Sequence, residues 1–114
     1  MSLSKELVAA STTPLVLSIL CQGDGYGYAL IKKIKDLSGE RIAWSDGMLY
    51  PVLRRLEAQG LISSYWSVAD SGRRRRYYRL EQPGRGELAR QREQWRLVGS
   101  VFNQLWQEAQ PCST

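Results

Sequence analysis

The chain contains no histidine. That absence removes the commonest general base, the Ser-His and Cys-His nucleophile pairs, and every zinc site that uses imidazole. Cysteine is scarce as well. Cys21 and Cys112 are far apart, with no Cys-x-x-Cys pair, so a metal site of about four ligands cannot be assembled from Cys and His. Cys21 closes the apolar run Leu15, Val16, Leu17, Ile19, Leu20 and is expected to be a buried free thiol. Cys112 falls in a polar tail, and two such cysteines do not make an exported disulfide scaffold. Long hydrophobic runs are also missing. The uncharged stretch from Leu7 to Gly23 is interrupted by Ser11-Thr12-Thr13-Pro14 and falls short of the ~20 apolar residues of a spanning helix. Leu20 is too bulky for a lipoprotein cleavage site before Cys21. The expectations are a cytoplasmic protein with no membrane partner, no metal and no cofactor, and not an enzyme.

What is present is ordinary in amount and uneven in placement. The 114 residues are 43% hydrophobic and 24% charged, which suits one globular domain and argues against disorder. The net charge is +5. Between Arg54 and Arg79 stand seven arginines (54, 55, 73 to 76 and 79) against two acids, Glu57 and Asp70. This one segment therefore carries the net charge of the whole chain. Guanidinium forks suit phosphates and guanine edges. Four consecutive arginines between Gly72 and Tyr77-Tyr78 point to nucleic acid or another polyanion rather than to a merely solvated face.

Helical signals open the chain. Leu3, Leu7 and Val8 are followed by Leu15, Val16, Ile19 and Leu20. Either Thr13 caps a new helix with Pro14 at its first position, or one helix runs through and bends at Pro14. Gly23-Asp24-Gly25 stops it. A second helix is predicted from about Tyr26 to Leu37, with Tyr26, Leu30, Ile34 and Leu37 on one buried stripe and Ser38-Gly39 at its end. Arg41-Ile42-Ala43-Trp44 is short enough to be a single edge strand. Ser45 or Asp46 then caps a third helix whose inner face is Leu49, Val52, Leu53 and Leu56. Met48, Tyr50, Arg54, Arg55 and Gln59 lie on or near its outer face, and Gly60 ends it. Pro51 belongs either in the first turn or at a local bend.

After Gly60 the composition turns to strand formers: Leu61, Ile62, Tyr65, Trp66 and Val68, then a turn at Asp70-Ser71-Gly72, then Arg76 to Leu80. This is a β-hairpin with a basic tip, with Tyr77 and Arg79 on one face and Tyr78 and Leu80 on the other. From about Pro83 the pattern is helical to the end. Leu88, Trp95, Val98, Phe102, Leu105 and Ala109 follow coiled-coil spacing, which predicts a subunit seam. Trp44 and Trp66 are read as core or hinge packing, and Glu57 as the partner of a nearby arginine. The fold class is mainly α with a small β-hairpin: a winged helix-turn-helix over 1–81, a C-terminal dimerisation helix over 82–110, and a disordered tail at 111–114. An adaptor that uses the arginines on protein or RNA is the competing reading.

Several blocks in order also carry a resemblance. Tyr26-Gly27-Tyr28-Ala29-Leu30, Leu49-Tyr50-Pro51-Val52-Leu53-Arg54-Arg55-Leu56-Glu57, Gly60-Leu61-Ile62, and Gly72-Arg73 through Tyr77-Tyr78-Arg79-Leu80 resemble the PadR-like transcriptional regulators, in their short form with one C-terminal helix. The resemblance implies a dimeric prokaryotic repressor, nucleoid-associated, that binds a pseudo-palindromic operator in double-stranded DNA. It often controls its own gene and a neighbouring transporter or detoxification gene. Carried over by position, Ser45, Met48, Tyr50, Arg54 and Arg55 would approach the DNA groove, and Arg73, Arg74, Arg75 and Arg76 would line the wing. The dimer interface would hold Leu88, Trp95, Val98, Phe102 and Leu105, with help from the N-terminal helix. Some short members hold a planar aromatic effector there, which would place Trp95, Val98 and Leu15 at a ligand site. Two departures stand out: Tyr26 replaces a common His, and Glu81-Gln82-Pro83-Gly84 replaces the Thr that usually opens the last helix.

Overall fold

The structure, a computed structural model, describes residues 3–108. Helix α1 runs over Lys5–Gln22, with Ser4 as N-cap accepting from the Leu7 amide at 3.2 Å. Pro14 lies inside it, so a single helix passes through the proline. The turns on either side are tied by hydroxyls: Thr12 Oγ1 donates to the Val8 carbonyl at 2.6 Å and Ser18 Oγ to the Pro14 carbonyl at 2.7 Å. Val16, Leu17 and Leu20 face the core. Cys21 does not. It sits in the last turn, past the edge of that face, and is exposed; its Sγ lies 3.6 Å from an Arg85 guanidinium nitrogen. The expectation of a buried thiol is corrected accordingly.

Helix α2 spans Gly27–Leu37 and buries Leu30 and Ile34. Both ends of its expected stripe depart from expectation. Tyr26 belongs to a two-residue strand, β1 (Gly25–Tyr26). Leu37 is 69% exposed because the helix end overruns the body, closing at Gly39 through bonds from the Gly39 and Glu40 amides to the Asp36 and Lys35 carbonyls. The stretch Arg41–Trp44 forms no strand. It is extended coil whose Ile42 and Trp44 plug the core, anchored by the Ile42 amide on Ser38 Oγ at 2.9 Å.

Helix α3 covers Asp46–Ala58 and buries Leu49, Leu53 and Leu56. Ser45 is its cap, accepting from the Met48 amide at 3.2 Å. Pro51 is in the second turn rather than the first, so the carbonyl of exposed Gly47 has no amide four residues on to accept from. Gly60, at φ 74°, closes the helix: its amide bonds the Glu57 carbonyl and that of Leu61 bonds the Leu56 carbonyl, both at 3.0 Å.

Strands β2 (Ile62–Val68) and β3 (Arg74–Leu80) pair antiparallel from Ile62 opposite Leu80 to Val68 opposite Arg74. The turn between them places Gly72 at φ 84°. β1 adds on the other side of β3, with Gly25 opposite Tyr78 and Tyr26 opposite Tyr77. The hairpin is therefore part of a three-stranded sheet of order β1-β3-β2.

Helix α4, Gln82–Glu108, has Pro83 in its first turn, as its missing amide allows. Gly84 is buried there, and the position admits only glycine because any Cβ would run into the Leu61 carbonyl and the Leu80 side chain. Leu88 is 6% exposed and completes the core of its own chain. It is thus not free for the subunit seam in which the heptad spacing placed it. Beyond Gln91 the helix leaves the body. From Arg92 to Gln107 every residue but Gly99 is exposed. The radius of gyration is 16.7 Å, against about 13 Å for a compact chain of this length. Ala109 and the tail at 111–114 lie outside the described residues.

Candidate nucleic-acid interface

Strand register divides the wing into two unlike faces. Trp66 opposite Arg76 and Val68 opposite Arg74 share the face that carries buried Tyr78 and Leu80, and this face looks toward α3. Ser63, Tyr65 and Ser67 with Arg79, Tyr77 and Arg75 make the other. The run Arg73–Arg76 is therefore split by pleating.

Between the inner wing face and the helices lies a cleft of about 660 Å³. Tyr26, Gly27 and Tyr28, then Asp46, Tyr50 and Arg54 of α3, and Trp66, Tyr78 and Arg73 to Arg76 of the wing line it; Arg75 and Tyr26 contribute although the register sets Arg75 on the other face. Tyr50 is fixed by close packing: its hydroxyl occupies the space that a Cβ on Gly27 would need. Arg76 is tied to α3. Its Nε donates to Ser64 Oγ at 3.0 Å and its Nη2 to Glu57 Oε1 at 3.3 Å, while Ser64 Oγ donates to Glu57 Oε2 at 2.6 Å. Arg74 lies 4.9 Å from the Trp66 ring centroid. Arg54, Arg73 and Arg74 form no ion pair among the described residues and are free to meet an anion.

The outer face is a ladder of rings and guanidiniums. Arg75 stands 4.4 Å over Tyr26, Tyr26 meets Tyr77 edge-on at 5.4 Å, Tyr77 stacks on Tyr65 at 5.7 Å, and Arg79 stands 4.8 Å over Tyr65. Asp24 closes it, accepting from the Tyr65 hydroxyl at 2.7 Å and from Arg79 Nε at 3.2 Å. That hydrogen bond to Asp24 is the main reason the Tyr65 phenol is raised above its usual pKa and the Arg79 guanidinium held still more firmly protonated. Tyr78 is also raised, by its burial.

The expected site residues do not all meet. Tyr50, Arg54 and Arg73 to Arg76 converge on the cleft. Ser45 uses its hydroxyl to cap α3, and Met48 is half-buried against the core. Arg55 points elsewhere: its Nη2 donates to Thr13 Oγ1 of α1 at 2.6 Å, and it lines a separate crevice with Glu87 and Arg90 of α4. One residue further along a helix is a turn of 100°, enough to separate it from Arg54. Trp95, Val98, Phe102 and Leu105 are exposed along α4, and Leu15 is half-buried on α1. Sequence reasoning missed Tyr26, Gly27, Tyr28, Asp46, Trp66 and Tyr78 as cleft residues. For Trp66 a signal existed: alternation along the strand from Ile62 through Ser64 places it on the inner face, beyond the last residue the core covers. It is exposed, not packed as expected, whereas Trp44 is buried as expected.

A helix pair followed by an arginine-bearing wing, with a cleft between α3 and the sheet, defines a winged helix-turn-helix protein of the transcription-regulator kind. Residues 16–90 match the family model described as the transcriptional regulator PadR-like family, and the chain belongs to that family. Among solved structures it is similar to a transcriptional regulator from Clostridium thermocellum, with 31% identity and a TM-score of 0.80 over 90% of this chain and 96% of that one. A PadR family transcriptional regulator from Eggerthella lenta shares 36% identity at a TM-score of 0.77, over 91% of this chain and 88% of that one. The transcriptional regulator Rv3488 of Mycobacterium tuberculosis is 47% identical over 58 residues, about half of either chain at 51% and 53%. Among the described residues no helix is long and apolar enough to cross a membrane.

Proposed function

We propose that the chain is a homodimeric repressor that binds a pseudo-palindromic operator in double-stranded DNA. The observation that carries this reading is the cleft between α3 and the wing, rimmed by the unpaired guanidiniums of Arg54, Arg73 and Arg74. Helix α3 enters the major groove and the wing arginines meet phosphates or the adjacent minor groove, where the negative potential attracts them. The winged body over 1–81 is joined by the first two turns of α4, which Gly84 and Leu88 seat in its core. The rest of the helix, toward 110, pairs two copies.

Dimerisation is supported by the bare stripe of Trp95, Val98, Phe102 and Leu105, with Leu97, Val101 and Trp106 beside it. A solvent-exposed run of this kind marks a protein contact. In such a dimer Trp95 and Val98 near the seam, with Leu15 from α1, would receive a planar aromatic effector whose binding releases DNA. The regulated genes would be its own and a neighbouring transporter or detoxification gene, and the place of action the cytoplasm, on the nucleoid.

The test is a titration of the full chain into duplex from immediately upstream of its own gene, beside scrambled duplex, at several salt concentrations. The expected result is a preference of about 10³ or more for the upstream duplex at physiological salt. Equal, steeply salt-dependent binding to both would refute autoregulation and leave only an electrostatic footprint.

A further inference from the structure

Trp66 is 58% exposed on the inner wing face, and Tyr28 is 67% exposed on the opposite side of the same cleft. Neither ring is there to complete the core. Tyr50, Arg54, Arg73 and Arg74 line the same cleft. The cleft thus offers aromatic rings and unpaired guanidiniums side by side.

A sugar-phosphate strand has the complementary pattern. Its deoxyriboses present apolar C–H faces, and its phosphates present anionic oxygens at regular spacing. The duplex supplies such a strand at the right place: when a helix occupies the major groove and a wing reaches the adjacent minor groove, one backbone separates the two grooves. That backbone has to pass between α3 and the wing. Building on the DNA-binding reading above, we propose that Trp66 and Tyr28 grip the deoxyriboses of this strand, while Arg74 beside the indole meets its phosphate through its own charge. The arginine lies 4.9 Å from the indole centroid before any DNA arrives, so part of its ordering is already done.

The contact is to backbone and not to base edges, so a mixed-sequence duplex is a sufficient probe. Wild type, Trp66→Ala, Trp66→Phe and Arg74→Ala are titrated into it across a range of salt, with thermal unfolding recorded for each. Trp66→Ala is expected to bind on the order of tenfold more weakly with the wild-type salt slope, because the indole is uncharged and releases no counterion. Trp66→Phe should keep much of the affinity while losing part of the fluorescence change that DNA produces. Arg74→Ala should make the slope shallower by about one.

Wild-type affinity in Trp66→Ala would overturn the proposal. So would a Trp66→Ala variant that copies the shallower slope of Arg74→Ala, since the indole would then act only as a rest for that arginine. A wild type that fails to bind the duplex at all would remove the DNA-binding reading itself, and this inference with it.

Discussion

Glu57 of α3 and Arg76 of β3 join the third helix to the wing: the guanidinium Nη2 donates to the carboxylate at 3.3 Å, and Ser64 Oγ bonds both partners. The pair is partly exposed, at 31% and 47% of the side chains, so its direct contribution to stability is expected to be small, about 0–1 kcal/mol. Its larger effect is on charge, since a guanidinium bound to Glu57 is not free for phosphate. Glu57→Gln should melt close to wild type but bind mixed-sequence duplex with a salt slope steeper by about one. An unchanged slope would show that Arg76 already meets DNA with Glu57 in place.

Gly27→Ala should damage the cleft from behind. The new methyl would press on the Tyr50 ring and hydroxyl, a collision of the overpacking kind that costs about 1–3 kcal/mol. Combining it with Tyr50→Ala should relieve most of that loss, so denaturant melts of the two single variants and the double variant should be strongly non-additive.

Two glycines two residues apart in α4 should answer oppositely to alanine. At Gly84 a Cβ meets the Leu61 carbonyl, backbone that cannot swing aside, and Gly84→Ala should destabilise by about 1–3 kcal/mol. At Gly86 nothing lies within 4 Å, and Gly86→Ala should stabilise by up to about 1 kcal/mol through helix propensity alone. Thermal unfolding of the two variants side by side checks the sign.

Glu87 should give α4 a stability that acid removes. Hydrogen bonds from Arg90, at 3.0 and 2.6 Å, and from Gln91, at 2.8 Å, hold its carboxyl below the usual glutamate range against a smaller effect of burial. A carboxyl with a depressed folded pKa contributes stability above its unfolded value and loses it as pH falls through the folded one. Glu87→Gln should therefore be less stable than wild type by a few tenths to about 1 kcal/mol at neutral pH. The gap should close on acidification below about pH 4.

Phe102→Lys should yield a folded monomer. The ring stacks on Trp106 at 4.9 Å and touches no core residue, so the charge should break pairing of copies without unfolding the body. Sedimentation should show one chain where wild type shows two, with the circular dichroism of a helical protein retained.

The local signals in the sequence were reliable where the cause was local. Ser45 capping α3, Gly60 closing it, Pro83 opening α4 and the alternation of Tyr77/Arg79 with Tyr78/Leu80 are decided within a few residues of chain. What stayed hidden depended on distant partners. Tyr26 matched a helical stripe, but Tyr77 drew it into β1, an exchange that no window of twelve residues contains. Cys21, Leu37 and Leu88 had periodicity that says which residues share a face, but not where the body ends beneath that face. The first two overrun it, and the third sits where it begins. Arg54 and Arg55 looked equivalent as neighbours, and only the presence of Thr13, forty-two residues away on α1, draws Arg55 aside. The cleft was half legible: its cations were visible as a run, whereas Tyr28 and Trp66 join it only once the sheet and α2 are set side by side.

The short reach of β1 has a consequence for the fate of the protein at high concentration. It pairs with β3 only at Tyr77 and Tyr78, so the backbone of Arg74 to Arg76 on that side is an open margin of the kind onto which other strands add. Every residue along that margin is a cation, and two such margins brought together would repel each other. Protection of this margin and anion attraction thus share Arg74 and Arg75, and neutralising them to weaken one would expose the chain to self-association through the other.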